Sequence, residues 1–179
     1  DDYKENIAKM DALLAQKNLS EEARYALVNK ITTTFLAKEK HTHLIVYLTD
    51  WVANNPDDKF NAYWLLMVAY SYLKTNAEPM AEFYFERIIK NYPDLEVKGQ
   101  SVHFLCLENL IKISRNSDSR IKYFNQLINR FPANISITEM YVRLAREYEL
   151  TGEWTKALKT YEIFLDQPDS TTIQIADIP

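Results

Sequence analysis

The stretch "FERIIKNYPDLE", residues 85–96, runs an amphipathic segment into Tyr92-Pro93. Phe85, Ile88 and Ile89 fall at i, i+3 and i+4, the spacing of one helix face, and the proline cannot continue a helix. Three other stretches close in the same way: "LTDWVANNPDD" at 48–58, "FNQLINRFPAN" at 124–134 and "YEIFLDQPDS" at 161–170. Their prolines, Pro56, Pro93, Pro132 and Pro168, lie 37, 39 and 36 residues apart. A fixed period of that size marks a chain of repeated supersecondary units.

Aligning on the prolines brings a second pattern into register. The second unit reads Leu65, Val68, Ala69, Tyr72, then Ala81, Phe85 and Pro93; the fourth reads Tyr141, Leu144, Ala145, Tyr148, then Ala157, Tyr161 and Pro168. The first unit places Val28, Ile31, Thr32, Phe35, Leu44, Leu48 and Pro56 in these slots, and the third Phe104, Leu107, Glu108, Ile111, Arg120, Phe124 and Pro132. Such spacing predicts two antiparallel helices per unit. Small residues at Ala69, Ala81, Ala145 and Ala157 let the helices cross closely, and an aromatic follows one turn later. Thr32, Glu108, Leu44 and Arg120 replace the small residues in units one and three, which makes those units degenerate. Ser20 before Glu21 and Glu22 predicts an N-cap, Ser136-Ile-Thr-Glu139 a capping box, and Gly152 the turn inside the last unit.

Composition agrees with an all-α chain. Only two of 179 residues are glycine, Gly99 and Gly152, too few for the hairpins of a sheet protein or a phosphate-binding loop. A net charge of −4 argues against a nucleic-acid binder, and the single Cys106 excludes an internal disulfide. No apolar run reaches the roughly 18 residues of a membrane span. The chain opens DDYKEN with neither methionine nor signal peptide, which reads as a mature or trimmed start.

Residues 62–95 and "YVRLAREYELTGEWTKALKTYEIFLDQPD" resemble tetratricopeptide repeats, whose pattern W-x2-L-G-x2-Y…A-x3-F…P they match in class at nearly every slot. The expected fold is an all-α, right-handed solenoid of about four such repeats, at 25–58, 62–95, 101–134 and 138–171, in a single domain. Residues 1–19, with Ile7, Met10, Leu13 and Leu14, are expected to form a capping helix or half a truncated unit, and 172–179 a tail, with TTIQI at 171–175 able to add to a neighbour or the groove. Endings such as "FERIIKNYPD" are similar to those of bacterial cell-envelope repeat lipoproteins, which implies a periplasmic or envelope location.

Candidate chemistry is sparse. His41-Thr-His43 could share a metal only from a loop, and its register places it in a turn between helices. His103 reads as a packed or edge histidine, and Cys106 as a half-buried hydrophobe. Trp154 fills an apolar turn slot, while Trp51 and Trp64 have no assigned role. No Gly-rich phosphate loop, nucleophile elbow or HExxH stands in the chain. No enzyme activity, metal or cofactor is therefore expected.

The resemblance implies that the first helices line a concave face. The candidate partner-binding residues are Asn29 and Lys30, Tyr63, Leu66, Met67 and Tyr70, Asn109, and Arg143 and Arg146. Chaperone-binding members of the family clamp a terminal carboxylate with lysine and asparagine; Asn29 and Asn109 match in kind, Leu66 and Tyr70 do not. An apolar, aromatic centre flanked by cations suits an extended segment or amphipathic helix. The reading is a non-enzymatic scaffold for a protein or peptide, with self-association through groove or tail as a further outcome. Its alternatives are a part in a bacterial envelope assembly lipoprotein, or a regulatory part of a larger enzyme complex.

Overall fold

A computed structural model describes residues 2–16, 18–134 and 136–168. The tail at 169–179, TTIQI included, lies outside the described residues. The fold class is an all-α helical-repeat solenoid, divided into two compact units, 1–97 and 98–179.

The first unit holds α1 (Asp2–Leu14), α2 (Glu21–Ala37), α3 (His41–Asn54), α4 (Asn61–Lys74) and α5 (Glu78–Asn91), each packed against the next. The second holds α6 (Val102–Ile113), α7 (Ser117–Arg130), α8 (Ile137–Leu150) and α9 (Trp154–Leu165), packed the same way. Helices α2–α3, α4–α5, α6–α7 and α8–α9 are the expected pairs. The link after α5 adds two short strands, β1 (Glu96–Val97) and β2 (Gln100–Ser101), which sequence reading did not anticipate. Lys98 (φ 53°) and Gly99 (φ 76°) form their two-residue turn, the doubly left-handed geometry of a tight hairpin.

The register sets the core. Leu65, Val68, Ala69, Ala81 and Phe85 are each 0 % exposed, as are Val28, Ile31, Leu44 and Leu48. In the second unit Leu107 and Ala145 are 0 % exposed and Ala157 3 %. Thr32 in its small-residue slot is buried, and its hydroxyl donates to the Val28 carbonyl at 2.8 Å, which removes the desolvation cost of the oxygen. Arg120 keeps its guanidinium at the edge of its slot. It forms a two-pronged pair with Glu147 of α8 (Nε–Oε1 2.7 Å, Nη2–Oε2 3.0 Å) and donates to the Ser114 carbonyl at 2.8 Å. Hydrogen bonding to Glu147 raises the Arg120 pKa further.

Three helix pairs share one turn. Glu39 (φ 54°), Asn76 (φ 57°) and Gly152 (φ 75°) each take the left-handed conformation just past the first helix. The next residue then bonds back to the last helical turn, Lys40 N to Phe35 O, Ala77 N to Tyr72 O and Glu153 N to Tyr148 O, at 2.9, 2.9 and 2.8 Å. This double-bonded cap satisfies carbonyls that a helix end otherwise orphans. The α6–α7 turn differs: Ser114 is extended (ψ 128°) and Asn116 caps α7 through the Ser119 amide at 2.8 Å.

Several expectations are corrected. His41 and His43 lie in the first turn of α3, not in a loop. Two residues apart on a helix they point to different sides: His41 approaches Ser71 (3.4 Å), and His43 stacks on Phe35. Ser20 caps α2 as expected, accepting from the Ala23 amide at 3.2 Å, but Ser136 is itself helical in backbone (ψ −6°) and makes no capping bond. The Asn134 carboxamide oxygen accepts from the Ser136 amide instead, at 2.9 Å. Cys106 is wholly buried, not half-buried. Trp154 is 67 % exposed rather than packed in a turn. Helix α1 buries none of its residues, and Leu13 of its stripe stays exposed.

Candidate protein-binding surface

In the first unit the candidate row sits on α4. Ala62, Leu65, Leu66, Val68 and Ala69 are buried, which leaves Tyr63, Met67 and Tyr70 half-buried. At about 100° per residue these three fall within an arc of roughly 60°. Leu66 lies outside that arc, on the side of Ala62 and Ala69, and is 1 % exposed. Leu66 is thus a core residue and drops out of the candidate surface. Helix α4 packs against both α3 and α5, so its buried arc is wider than one stripe.

The two tyrosines are braced. Tyr63 lies 5.2 Å from the Trp64 ring and 6.4 Å from Tyr25 of α2, and Tyr25 stacks on Trp64 at 5.4 Å. Burial, with Tyr25 nearby, raises the Tyr63 pKa. Tyr70 meets the buried Phe85 edge-on at 6.0 Å. The row is a set of rings held from beneath, with their outer sides accessible.

The other candidates of this unit fall differently. Asn29 is half-buried on α2. Lys30 lines a cleft of about 650 Å³ between α1 and α2, with Met10 and Asn6 opposite. In the second unit Asn109 donates its amide to the Leu105 carbonyl of its own helix at 2.7 Å. Arg143 lies over the Phe124 ring at 5.3 Å and 3.9 Å from Glu139. Arg146 interacts with Tyr161, whose pKa is raised by burial first and by Glu149 next. Each candidate of this unit already has contacts within it.

Sequence reading missed the link between α3 and α4. Asp58 accepts from three donors: Trp51 Nε1 (2.8 Å) and Trp64 Nε1 (3.0 Å) on Oδ2, and the Phe60 amide (2.9 Å) on Oδ1. Both undetermined tryptophans thus have the same structural role. Beside them opens a cleft of about 260 Å³ at the start of α2, crossed by a Lys59–Glu21 ion pair. Nothing in a run "NNPDDKF" signals which aspartate faces an indole; that depends on where α4 lies. His103 is 2 % exposed, its Nδ1 2.6 Å from the Arg130 guanidinium, which makes it a packed histidine. Among the described residues no group of three His, Cys, Asp or Glu side chains could hold a metal, and no helix is long and apolar enough to cross a membrane.

What the geometry defines is a class: paired helices in register with a braced aromatic row on a first helix. Residues 64–95 match the tetratricopeptide repeat family. The fold is similar to crystal structures of nearly identical TPR-like repeats from a Podosopora anserina protein described as a putative kinesin light chain. One match is 14 % identical, covers 96 % of this chain and 90 % of that one, and has a TM-score of 0.58. A glutamine-to-methionine variant of the same repeats is 15 % identical, with coverages of 95 % and 88 % and a TM-score of 0.57. No curated protein sequence matches the chain. One repeat, residues 64–95, is thus matched to the family directly, and the fold along the chain is similar to that of TPR-like repeats. None of these likenesses points to a bacterial envelope lipoprotein.

Proposed function

We propose that the chain is a non-enzymatic protein-interaction module that takes a peptide or partner protein on the solvent-facing side of α4, the side that carries Tyr63, Met67 and Tyr70. Repeats of this family generally mediate protein–protein interactions. The observation that carries the reading is the Tyr63–Met67–Tyr70 row, apolar, half-exposed and held by ring contacts from below. Braced rings lose little conformational freedom when a partner docks, which lowers the cost of binding. An extended or helical segment with hydrophobic anchors suits such a row.

The test is selection of peptides against the whole chain from a display library, followed by titration of the best binders. Met67→Glu places a charge in the middle of the row at a half-exposed site, and the fold is expected to tolerate it. Binding should weaken by about tenfold or more, equivalent to about 1.4 kcal/mol. Selected peptides that bind the variant as well as the parent would place the site elsewhere.

A further inference from the structure

Tyr25 joins the α4 row to the cleft at the start of α2. Its ring lies 6.4 Å from Tyr63 and 4.4 Å from Phe60, and both Tyr25 and Phe60 line the cleft. Tyr63 is in the first turn of α4, so the cleft opens at that end of the row. The site lies inside the first unit, where α2, α3 and α4 pack in succession. Among its charged residues, Lys59 pairs with Glu21 and lies over the Phe60 ring. Asp58 accepts from both indoles and the Phe60 amide, and Asp57 is exposed to water. Arg24 differs from these. It lines the cleft half-buried, and its guanidinium makes no hydrogen bond or ion pair among the described residues. The group that matches a partly desolvated guanidinium is a carboxylate, which takes two of its N–H bonds in one plane.

We infer that the partner segment taken by the α4 row carries an aspartate or glutamate at its Tyr63 end, whose carboxylate enters the cleft and pairs with Arg24. The inference rests on the row reading and adds the chemistry of the partner: apolar anchors for Tyr63, Met67 and Tyr70, flanked on one side by an acid. Tyr63 and Tyr70 are about 10.5 Å apart along α4 at about 1.5 Å per residue. The cleft lies one ring beyond Tyr63, so a short peptide spans anchors and acid together. The charge required is single. Glu21, Asp57 and Asp58 also line the cleft, so the second charge of a phosphate would meet carboxylates and no open cation. Pairing with Arg24 also fixes direction, because the acid must lie at the Tyr63 end of the row and not at the Tyr70 end.

The probe is a random peptide phage library selected against the whole chain. Row-dependent peptides are those that Met67→Glu weakens by about tenfold or more. Among them Asp or Glu should be enriched on one side of the apolar anchors. In the best binder, replacing that acid by its amide should weaken binding about tenfold, and so should Arg24→Gln. The two changes together should cost no more than either alone, the mark of a direct pair. Arg24→Gln removes no hydrogen bond or ion pair from the fold, so its urea midpoint should equal the parent's. Row-dependent peptides without a preferred acid, or that bind Arg24→Gln as they bind the parent, overturn the inference and leave the row reading standing. Additive losses place the acid away from Arg24 and overturn it too. Peptides that Met67→Glu does not weaken, or a library that yields no binder, overturn both readings.

Discussion

Asp58 is the residue on which the α3–α4 link depends most. Trp64 is 0 % exposed, so its indole N–H has no water to turn to if the carboxylate is removed. Asp58→Ala should cost about 2–3 kcal/mol, the scale of losing charged hydrogen bonds and stranding a buried donor. The urea midpoint measures it; an unchanged midpoint would mean that the two indole bonds contribute nothing. The left-handed turn residues make a second case. A Cβ at Gly152 would meet nothing within 4 Å, so Gly152→Ala tests backbone conformation alone and should cost about 1 kcal/mol. Glu39 holds the same conformation with a side chain. Glu39→Gly should raise the midpoint, by about 0.5 kcal/mol, because relief of the left-handed penalty exceeds the extra chain entropy. A lower midpoint would show that the Glu39 side chain contributes more than its backbone costs.

At the scale of the helix pair, the degenerate third unit is the informative one. Ser114 lacks the left-handed cap of the other turns, and Arg120 reaches from the small-residue slot to satisfy its carbonyl and Glu147 together. Arg120→Ala should therefore destabilise by about 2 kcal/mol, and Arg120→Lys should recover little, since an ammonium cannot make the fork-shaped pair. Full recovery by lysine would mean that charge alone matters. The regular pairs fail in another way. Ala69 and Ala81 are both 0 % exposed at the α4–α5 crossing. Enlarging either to leucine should overpack the contact and cost about 1–3 kcal/mol in a urea melt. The paired double substitution Tyr63→Ala with Tyr70→Ala is a poor functional probe, because both rings pack on buried neighbours and stability would fall with binding.

At the scale of the whole molecule, each unit has its own core. That of the first is built from Trp64, Leu65, Phe85 and the α2–α3 residues, and that of the second includes Phe124, Leu127 and Phe164. Residues 1–97 alone should give a helical circular dichroism spectrum and a cooperative melt. A fragment without cooperative unfolding would show that its core is insufficient. What the chain determined by itself was local: the pairing of helices, the crossing alanines, the Ser20 cap and the Gly152 turn. Those depend on periodicity and backbone preference within one unit of about 35 residues, and they survive in degenerate units because the register is shared. What tertiary structure decided was exposure and partnership. Leu66 is core and Trp154 exposed because a helix has two flanks, and only the fold sets which are covered: both on α4, and among the described elements one on α9, by α8. Asp58, Arg120 and His103 likewise take their roles from partners on other helices, at separations of 6 to 27 residues, which no helical period encodes.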